Sequence, residues 1–287
     1  MEILNPSPVL CLPHTMWLVY RTVAGTSGLD QEKALSLVVP EQMRPITPQD
    51  GAHGKRALAA LIEFGLVQRD HDGALTAEAL GESSEFLRRL RHRIVAVTPE
   101  SSKDAPVAPD LRSALVWLMR ESPLVPLHYS TAQAGMPAGL FTNDTRWNGF
   151  RWWSQALGFS RPALDALAKE RDQKAKIVPD PTEAVIDAIR RPFGEPLPKE
   201  EPLPVGELAR HLQGELPVLP GHPSAIYDGM VETAEDEVRA LGLALSCAEE
   251  RGVISMAYQS DPSDVMALPD AQDRGRARYV STVTVKG

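Results

Sequence analysis

The side chains of this sequence best suited to chemistry are arginines, and the densest group is Arg88-Arg89-Leu90-Arg91-His92-Arg93. Four arginines and a histidine within six residues could neutralise several DNA phosphates and make binding strongly dependent on salt. A solvated helix face produces the same pattern when carboxylates such as Glu82 and Glu85 balance its charge. The run itself favours neither interpretation.

Arginines also alternate with aromatic residues in the segment Arg146-Trp147-Asn148-Gly149-Phe150-Arg151-Trp152-Trp153. Aromatic rings can stack on the bases of single-stranded nucleic acid while Arg146 and Arg151 neutralise phosphates. The aromatic spacing is helical, however, which is also typical of a buried stripe. The core interpretation is favoured here.

Two further basic groups lie where a DNA-binding module would use them. Lys55 and Arg56 begin a predicted helix, the position at which a recognition helix enters the major groove. No base-reading polar residue follows on its exposed face, so sequence specificity should be weak. Near the C-terminus Arg274, Arg276 and Arg278 alternate, so they either contact a DNA groove or backbone or line an exposed strand face.

Catalysis finds little support in the sequence. The seven histidines lack metal-ligand spacing, and Cys11 and Cys247 are far apart, as expected of reduced structural thiols. The segment Asp50–Lys55 lacks the spacing of a phosphate-binding loop and its Ser/Thr after the lysine. We therefore expect a protein that is not an enzyme and has no catalytic residues, no metal site and no cofactor.

The elements that must position these side chains follow a repeated pattern. In Lys55–Thr76 an apolar-periodic helix ends at Gly65, a short strand follows, and Asp72-Gly73 predicts a tight hairpin. In Val238–Ser255 a similar helix ends at Gly252 before a β-branched strand, with a return strand over 278–285. Helix, glycine and hairpin together are typical of a winged helix. The predicted fold is mainly α with small β-hairpins (α+β), in which tandem winged-helix domains flank a helical middle region.

Two proline-rich segments, 99–109 and 192–204, divide the chain into three predicted domains. These are an N-terminal winged-helix domain (1–98), a helical middle domain (110–195) and a C-terminal winged-helix domain with a long wing (205–287). Gly158 ends another helix, so the middle domain could be a degenerate third copy. Against that, Arg161-Pro162 should interrupt a strand at this position.

Charge and hydropathy limit the partners. The net charge is −8, and residues 196–287 carry 8 basic and 15 acidic side chains, a net charge of −7. DNA contacts must therefore be local, and the acidic third is expected to face protein. No run of about 18 apolar residues predicts a membrane helix. Pro13 interrupts the apolar stretch 10–20 and no basic region precedes it, so we expect no signal peptide, no membrane partner and a cytoplasmic protein.

Several segments resemble one family: Asn5-Pro6, the winged segment Ala57–Thr76, Asp144–Trp153 and Pro179–Thr182 are similar to DpdG-like proteins. That resemblance implies a setting, since the family accompanies bacterial clusters that place 7-deazaguanine derivatives in DNA and restrict unmodified phage DNA. It implies no catalytic motif. The leading hypothesis is a DNA-binding accessory subunit of a DNA-transaction or phage-defence complex, with double-stranded DNA and other proteins as partners. The alternatives are a protein-only adaptor and a transcription regulator.

Overall fold

A computed structural model describes residues 1–7, 9–39, 51–96, 107–132, 135–137, 139–163, 176–227, 239–262, 264–269 and 277–287. Helices and small antiparallel sheets alternate along the chain, which confirms the predicted α+β class. The chain forms two compact units. Unit 1 contains Met1–Ile94, Thr98–Leu111 and Phe141–Leu157, and unit 2 contains Val95–Val97, Arg112–Leu140 and Gly158–Gly287. No helix in the described part of the chain is long and apolar enough to cross a membrane.

Unit 1 begins with three helices, α1 (Pro13–Gly25), α2 (Gln31–Val38) and α3 (Ala52–Glu63). The carboxylate of Asp30 caps α2 by accepting a hydrogen bond from the backbone N–H of Lys33 at 2.8 Å. Helix α1 packs against both α2 and α3. The apolar face of each helix supplies the core, which includes Met16, Val19, Val23, Ala34, Leu58 and Leu61.

A hairpin of β1 (Gln68–Arg69) and β2 (Leu75–Thr76) follows α3. The Asp70 carboxylate accepts hydrogen bonds from the backbone N–H groups of Asp72 and Ala74, which fixes the turn. Leu29, between α1 and α2, forms an isolated bridge to Leu75. The order is helix, bridging strand, helix, helix, strand, strand, and the last strand lies between the other two. Helix α4 (Ser83–Val95) comes next in sequence.

The same order recurs in the middle of the chain. It comprises α5 (Pro109–Leu118), α6 (Tyr129–Ala132), α7 (Asp144–Ala156), β3 (Ser160–Pro162) and β4 (Ile177–Pro179). Leu127 bridges Ile177, so β4 again lies between the bridging residue and the first hairpin strand. The expectation that Arg161-Pro162 interrupts a strand is wrong, because both residues pair with β4. Pro162 is tolerated because it ends β3, which is an edge strand of the described sheet, so the missing proline N–H interrupts no hydrogen bond to a further described strand.

Unit 2 contains the order once more, in α8 (Thr182–Arg190), β5 (Pro202–Pro204), α9 (Val205–Glu215), α10 (Arg239–Glu250), β6 (Ile254–Ala257) and β9 (Thr282–Val285). The sheet order is β5-β9-β6, and a hairpin of β7 (Met266–Pro269) and β8 (Ala277–Val280) is inserted before β9. Helix α8 packs against α10. This set of elements therefore starts before residue 205, the predicted first residue of the third domain.

Two local predictions for unit 2 are corrected by the structure. The predicted return strand 278–285 is two strands, because Ser281 leaves the β7–β8 pairing and its N–H donates to the Ala257 carbonyl. The predicted linker 192–204 contains the edge strand β5. Most of the other predicted linker, 99–109, lies outside the described residues. The division into three domains stays a prediction.

Candidate nucleic-acid and protein interface

The N-terminal segment lies along α3 and occupies one of its two predicted DNA contacts. The Arg56 guanidinium donates to the carbonyl oxygens of Ser7 at 2.6 Å, of Glu2 at 3.0 Å, and of Val9. One turn earlier, Nδ1 of His53 lies 3.0 Å from the Leu10 carbonyl oxygen. Arg56 thus binds backbone within unit 1. Lys55, by contrast, points to solvent.

Carboxylates balance much of the basic run on α4. The Arg88 guanidinium donates to both oxygens of Glu85, at 2.9 and 2.8 Å. Arg89 pairs with Glu85 at 3.0 Å and also with Glu78. Arg91 is buried and donates to the Leu157 carbonyl oxygen at 3.2 Å. Arg93 is the exposed arginine of the run. Carboxylates thus balance Arg88 and Arg89, and phosphate binding by the run stays a prediction.

This pairing should be visible as pH-dependent stability. Hydrogen bonds from Arg88, and then from Arg89, lower the pKa of Glu85 from 4.5 to about 2. A carboxylate whose pKa falls on folding stabilises the folded state above its unfolded pKa, and this stabilisation is lost as pH falls through the folded pKa. We expect the Glu85 contribution to be complete above about pH 5 and to disappear between pH 4.5 and about 2.

Urea unfolding of the wild type and of Glu85→Gln across this pH range measures that contribution. The difference between the two proteins should shrink on acidification. Glu82→Gln is the matched control, since Glu82 accepts a hydrogen bond from Ser84 and the pairs described for Arg88 and Arg89 do not include it. A difference that stays constant from pH 6 to pH 2 would contradict the assignment.

The aromatic segment on α7 divides into buried and exposed rings. Trp147, Phe150 and Trp153 are buried, and Phe141 packs edge-on against Trp147 with ring centroids 5.4 Å apart. The core interpretation therefore holds for these three residues. Trp152 is different, because 53% of its surface is exposed.

The two predicted arginines of α7 have unlike partners. Arg146 pairs with the Glu2 carboxylate at 3.1 Å. Arg151 donates to the Asn148 side-chain oxygen at 2.9 Å, which is a neutral partner, and burial lowers the pKa of its guanidinium. Only Arg146 therefore has its charge cancelled by a carboxylate among these contacts.

In the C-terminal wing, Arg278 is the predicted DNA-contact arginine that the structure describes, and it bonds other groups of unit 2. Arg278 pairs with Glu249 and also donates to the Met256 carbonyl at 3.2 Å, which joins β8 to α10 and β6. The same arginine, acting through its hydrogen bond, is the main cause of a lowered pKa at Glu249. Arg274 and Arg276 lie outside the described residues. Arg278 is thus a structural contact of the wing.

The sequence did not single out His14, which lies beside Trp152, or Arg21, which is on the same helix as His14. The imidazole of His14 on α1 lies edge-on to the Trp152 indole, with centroids 6.4 Å apart. Arg21, two turns after His14, is also exposed. A helical projection of α1 would have placed both on one face, but only the packing of α1 on α7 brings that face to Trp152.

The described residues offer no sign of a metal centre. Nowhere in the ranges that the structure describes do three or more His, Cys, Asp or Glu side chains gather to hold a metal ion. Both cysteines are free, and burial raises the pKa of the Cys11 thiol to about 12, which makes it unreactive. Cys247 is partly exposed.

The structure describes an α+β protein in which several arginines bond other groups of the same chain, namely Arg56, Arg88, Arg89, Arg91, Arg146 and Arg278. The model of the DpdG-like family matches residues 1–262, and the chain belongs to that family. Membership links it to bacterial DNA-modification and defence systems. No curated protein and no solved structure is detectably similar to the chain.

Proposed function

We propose that the protein is a non-catalytic accessory subunit of a bacterial DNA-modification or phage-defence complex and that it acts mainly by docking other proteins. The observation that supports this proposal is that several of its arginines already bond carboxylates or carbonyls of the same chain. Arg88, Arg89, Arg146 and Arg278 each bond a carboxylate, and Arg56 bonds backbone carbonyls. Arginines that are already paired in this way neutralise few DNA phosphates and therefore release few counterions. Most of the electrostatic driving force for duplex binding is then absent.

The proposed docking modules are three winged helices. Each of the three sets of elements has the order helix, strand, helix, helix, strand, strand, with the last strand in the middle of the sheet. In each set a glycine with positive φ stands two residues after the last residue of the third helix: Gly65, Gly158 and Gly252. After Gly65 and Gly252, the next N–H returns to a carbonyl five residues back, as in a Schellman motif. The agreement in order, pairing and cap supports a repeated module.

Exposed apolar side chains on and beside the long wing are the best candidates for a protein contact. Tyr258, which follows β6, and Tyr279 on β8 are each 59% exposed, and Val265 before β7 is also exposed. Ala267, paired with Tyr279, is a small neighbour on the same face. Tyrosines are enriched at interfaces because they bring large area with little conformational entropy. Since residues 196–287 have a net charge of −7, we propose a partner surface with apolar residues inside a basic rim.

The Tyr258→Ala/Tyr279→Ala double variant tests this proposal. Truncating a tyrosine at the centre of an interface costs about 2 kcal/mol or more, so the double variant should lose its partners in a high-salt wash that the wild type survives. The measurement is retention of the proteins encoded beside this one on tagged full-length chain, after nuclease treatment. Leu124→Ala, which truncates an equally exposed apolar residue on another segment of unit 2, is the control and should retain them.

Two outcomes would contradict protein docking. The double variant could retain partners as well as the wild type does, or nuclease alone could release them. The second outcome favours the other candidate function, duplex DNA binding, for which the exposed Lys55 at the start of α3 and the exposed Arg93 are the supporting observation. Transcription regulation has no comparable support in the described residues.

A further inference from the structure

A surface formed by α1 and α7 of unit 1 combines an exposed indole with uncompensated cations. Trp152 is 53% exposed and Leu18 is 42% exposed, and the His14 ring lies against Trp152. Arg21 lies about one turn beyond Leu18 on the same face of α1. Arg151 precedes Trp152 on α7. We call these five residues the Trp152 surface.

The charge of the Trp152 surface is positive and has little local opposition. Helix α1 contains no Asp or Glu. Arg151 has the neutral Asn148 as its partner, and among described residues Arg21 forms no ion pair. The carboxylate of α7, Asp144, is eight residues before Trp152, about 12 Å along the helix axis. This contrasts with α4, where Glu85 and Glu78 pair with Arg88 and Arg89.

We propose that the Trp152 surface binds single-stranded nucleic acid, with an unpaired base stacked on the Trp152 indole and phosphates held by Arg21 and Arg151. Base stacking on an exposed aromatic ring combined with arginine contacts to the backbone is the general chemistry of single-strand binding. A duplex is a poor ligand for this surface, because its bases cover each other's faces. The inference goes beyond the docking function and does not depend on it.

Binding of a fluorescein-labelled oligothymidylate to the full chain, followed by fluorescence anisotropy, tests this site. The wild type should bind at low salt, and Trp152→Ala should weaken binding about tenfold. Trp152→Phe should retain most of the affinity, because a phenyl ring still stacks. Arg21→Ala should lower the slope of log affinity against log salt by about 0.7, the value for one phosphate contact on a single strand.

Leu37→Ala is the matched control, since Leu37 is exposed on α2 and not part of the Trp152 surface, and it should bind as the wild type does. Any of three results overturns the proposal: no binding of the wild type, equal affinity for Trp152→Ala and the wild type, or equal competition by unlabelled duplex. If Trp152→Ala loses a partner protein while its oligonucleotide affinity is unchanged, the surface docks protein instead.

Discussion

Replacing Trp153 by alanine should lower the free energy of unfolding of unit 1 by about 3–5 kcal/mol. Trp153 is fully buried on α7, and its indole N–H donates to the Cys11 carbonyl oxygen at 2.8 Å. The truncation leaves a large cavity and also removes the partner of a buried carbonyl, so two costs add. The lost hydrogen bond also held the segment next to Leu10 against α7. The Leu10 side chain packs close to α7 there, since a Cβ built at Gly149 would lie 3.5 Å from it. Urea unfolding followed by circular dichroism measures the change.

Trp152→Ala is the control for this result. The two tryptophans are adjacent, but Trp152 is half exposed, so its truncation should change the free energy of unfolding by no more than about 0.5 kcal/mol. Trp153→Phe should lie between the two, because it keeps much of the ring and loses the hydrogen bond. Equal destabilisation by Trp152→Ala and Trp153→Ala would contradict the burial of Trp153.

The contrast between these neighbours shows what sequence periodicity can predict. Residues 147, 150 and 153 recur at helical spacing, and that spacing correctly predicted a buried stripe. It could not identify Trp152 as exposed beside His14, since that pairing depends on how α1 packs against α7. The local sequence pattern thus identified the buried face of the helix. Tertiary packing determined which residues contact the opposite face.

The roles of the arginines were less accessible from sequence. Glu85 lies three and four residues before Arg88 and Arg89, so the charge-balanced alternative was visible as a helical spacing. The partners of Arg56 are backbone carbonyls 47 to 54 residues away, and residue types do not reveal which carbonyls will accept hydrogen bonds. The pair between Arg146 and Glu2 spans 144 residues. Side-chain type predicted where cations are, but long-range packing determined whether they are free.

A similar division applies to the fold. Helix, glycine and hairpin are local signals, and they predicted the third helix and first strand of two element sets. The edge strand β5 was missed because Pro202 and Pro204 made 192–204 look like a linker. Proline is tolerated on an edge strand, and Leu203 between the two prolines is the buried residue that packs inward. The role of α8 depends on its packing against α10, more than fifty residues later.

Gly158→Ala should be among the most damaging single-methyl additions in unit 2, with a loss of about 3 kcal/mol in the free energy of unfolding. Gly158 has φ of +78°, which costs an alanine roughly 1–2 kcal/mol. A Cβ there would also lie 3.0 Å from the backbone nitrogen of Ala184 and 3.1 Å from the Glu183 Cβ, both at the start of α8. Backbone and Cβ atoms cannot rotate away, so the start of the helix must shift.

Gly252→Ala separates the two causes of that loss. Gly252 has φ of +67° and also follows the third helix of its element set, but a Cβ there would meet nothing within 4 Å. Its substitution should therefore cost only the backbone strain, roughly 1–2 kcal/mol. Paired thermal and urea unfolding of the two variants measures the difference. If both variants lose the same stability, the close approach of α8 to Gly158 contributes nothing, and only the left-handed cap common to the three element sets requires glycine.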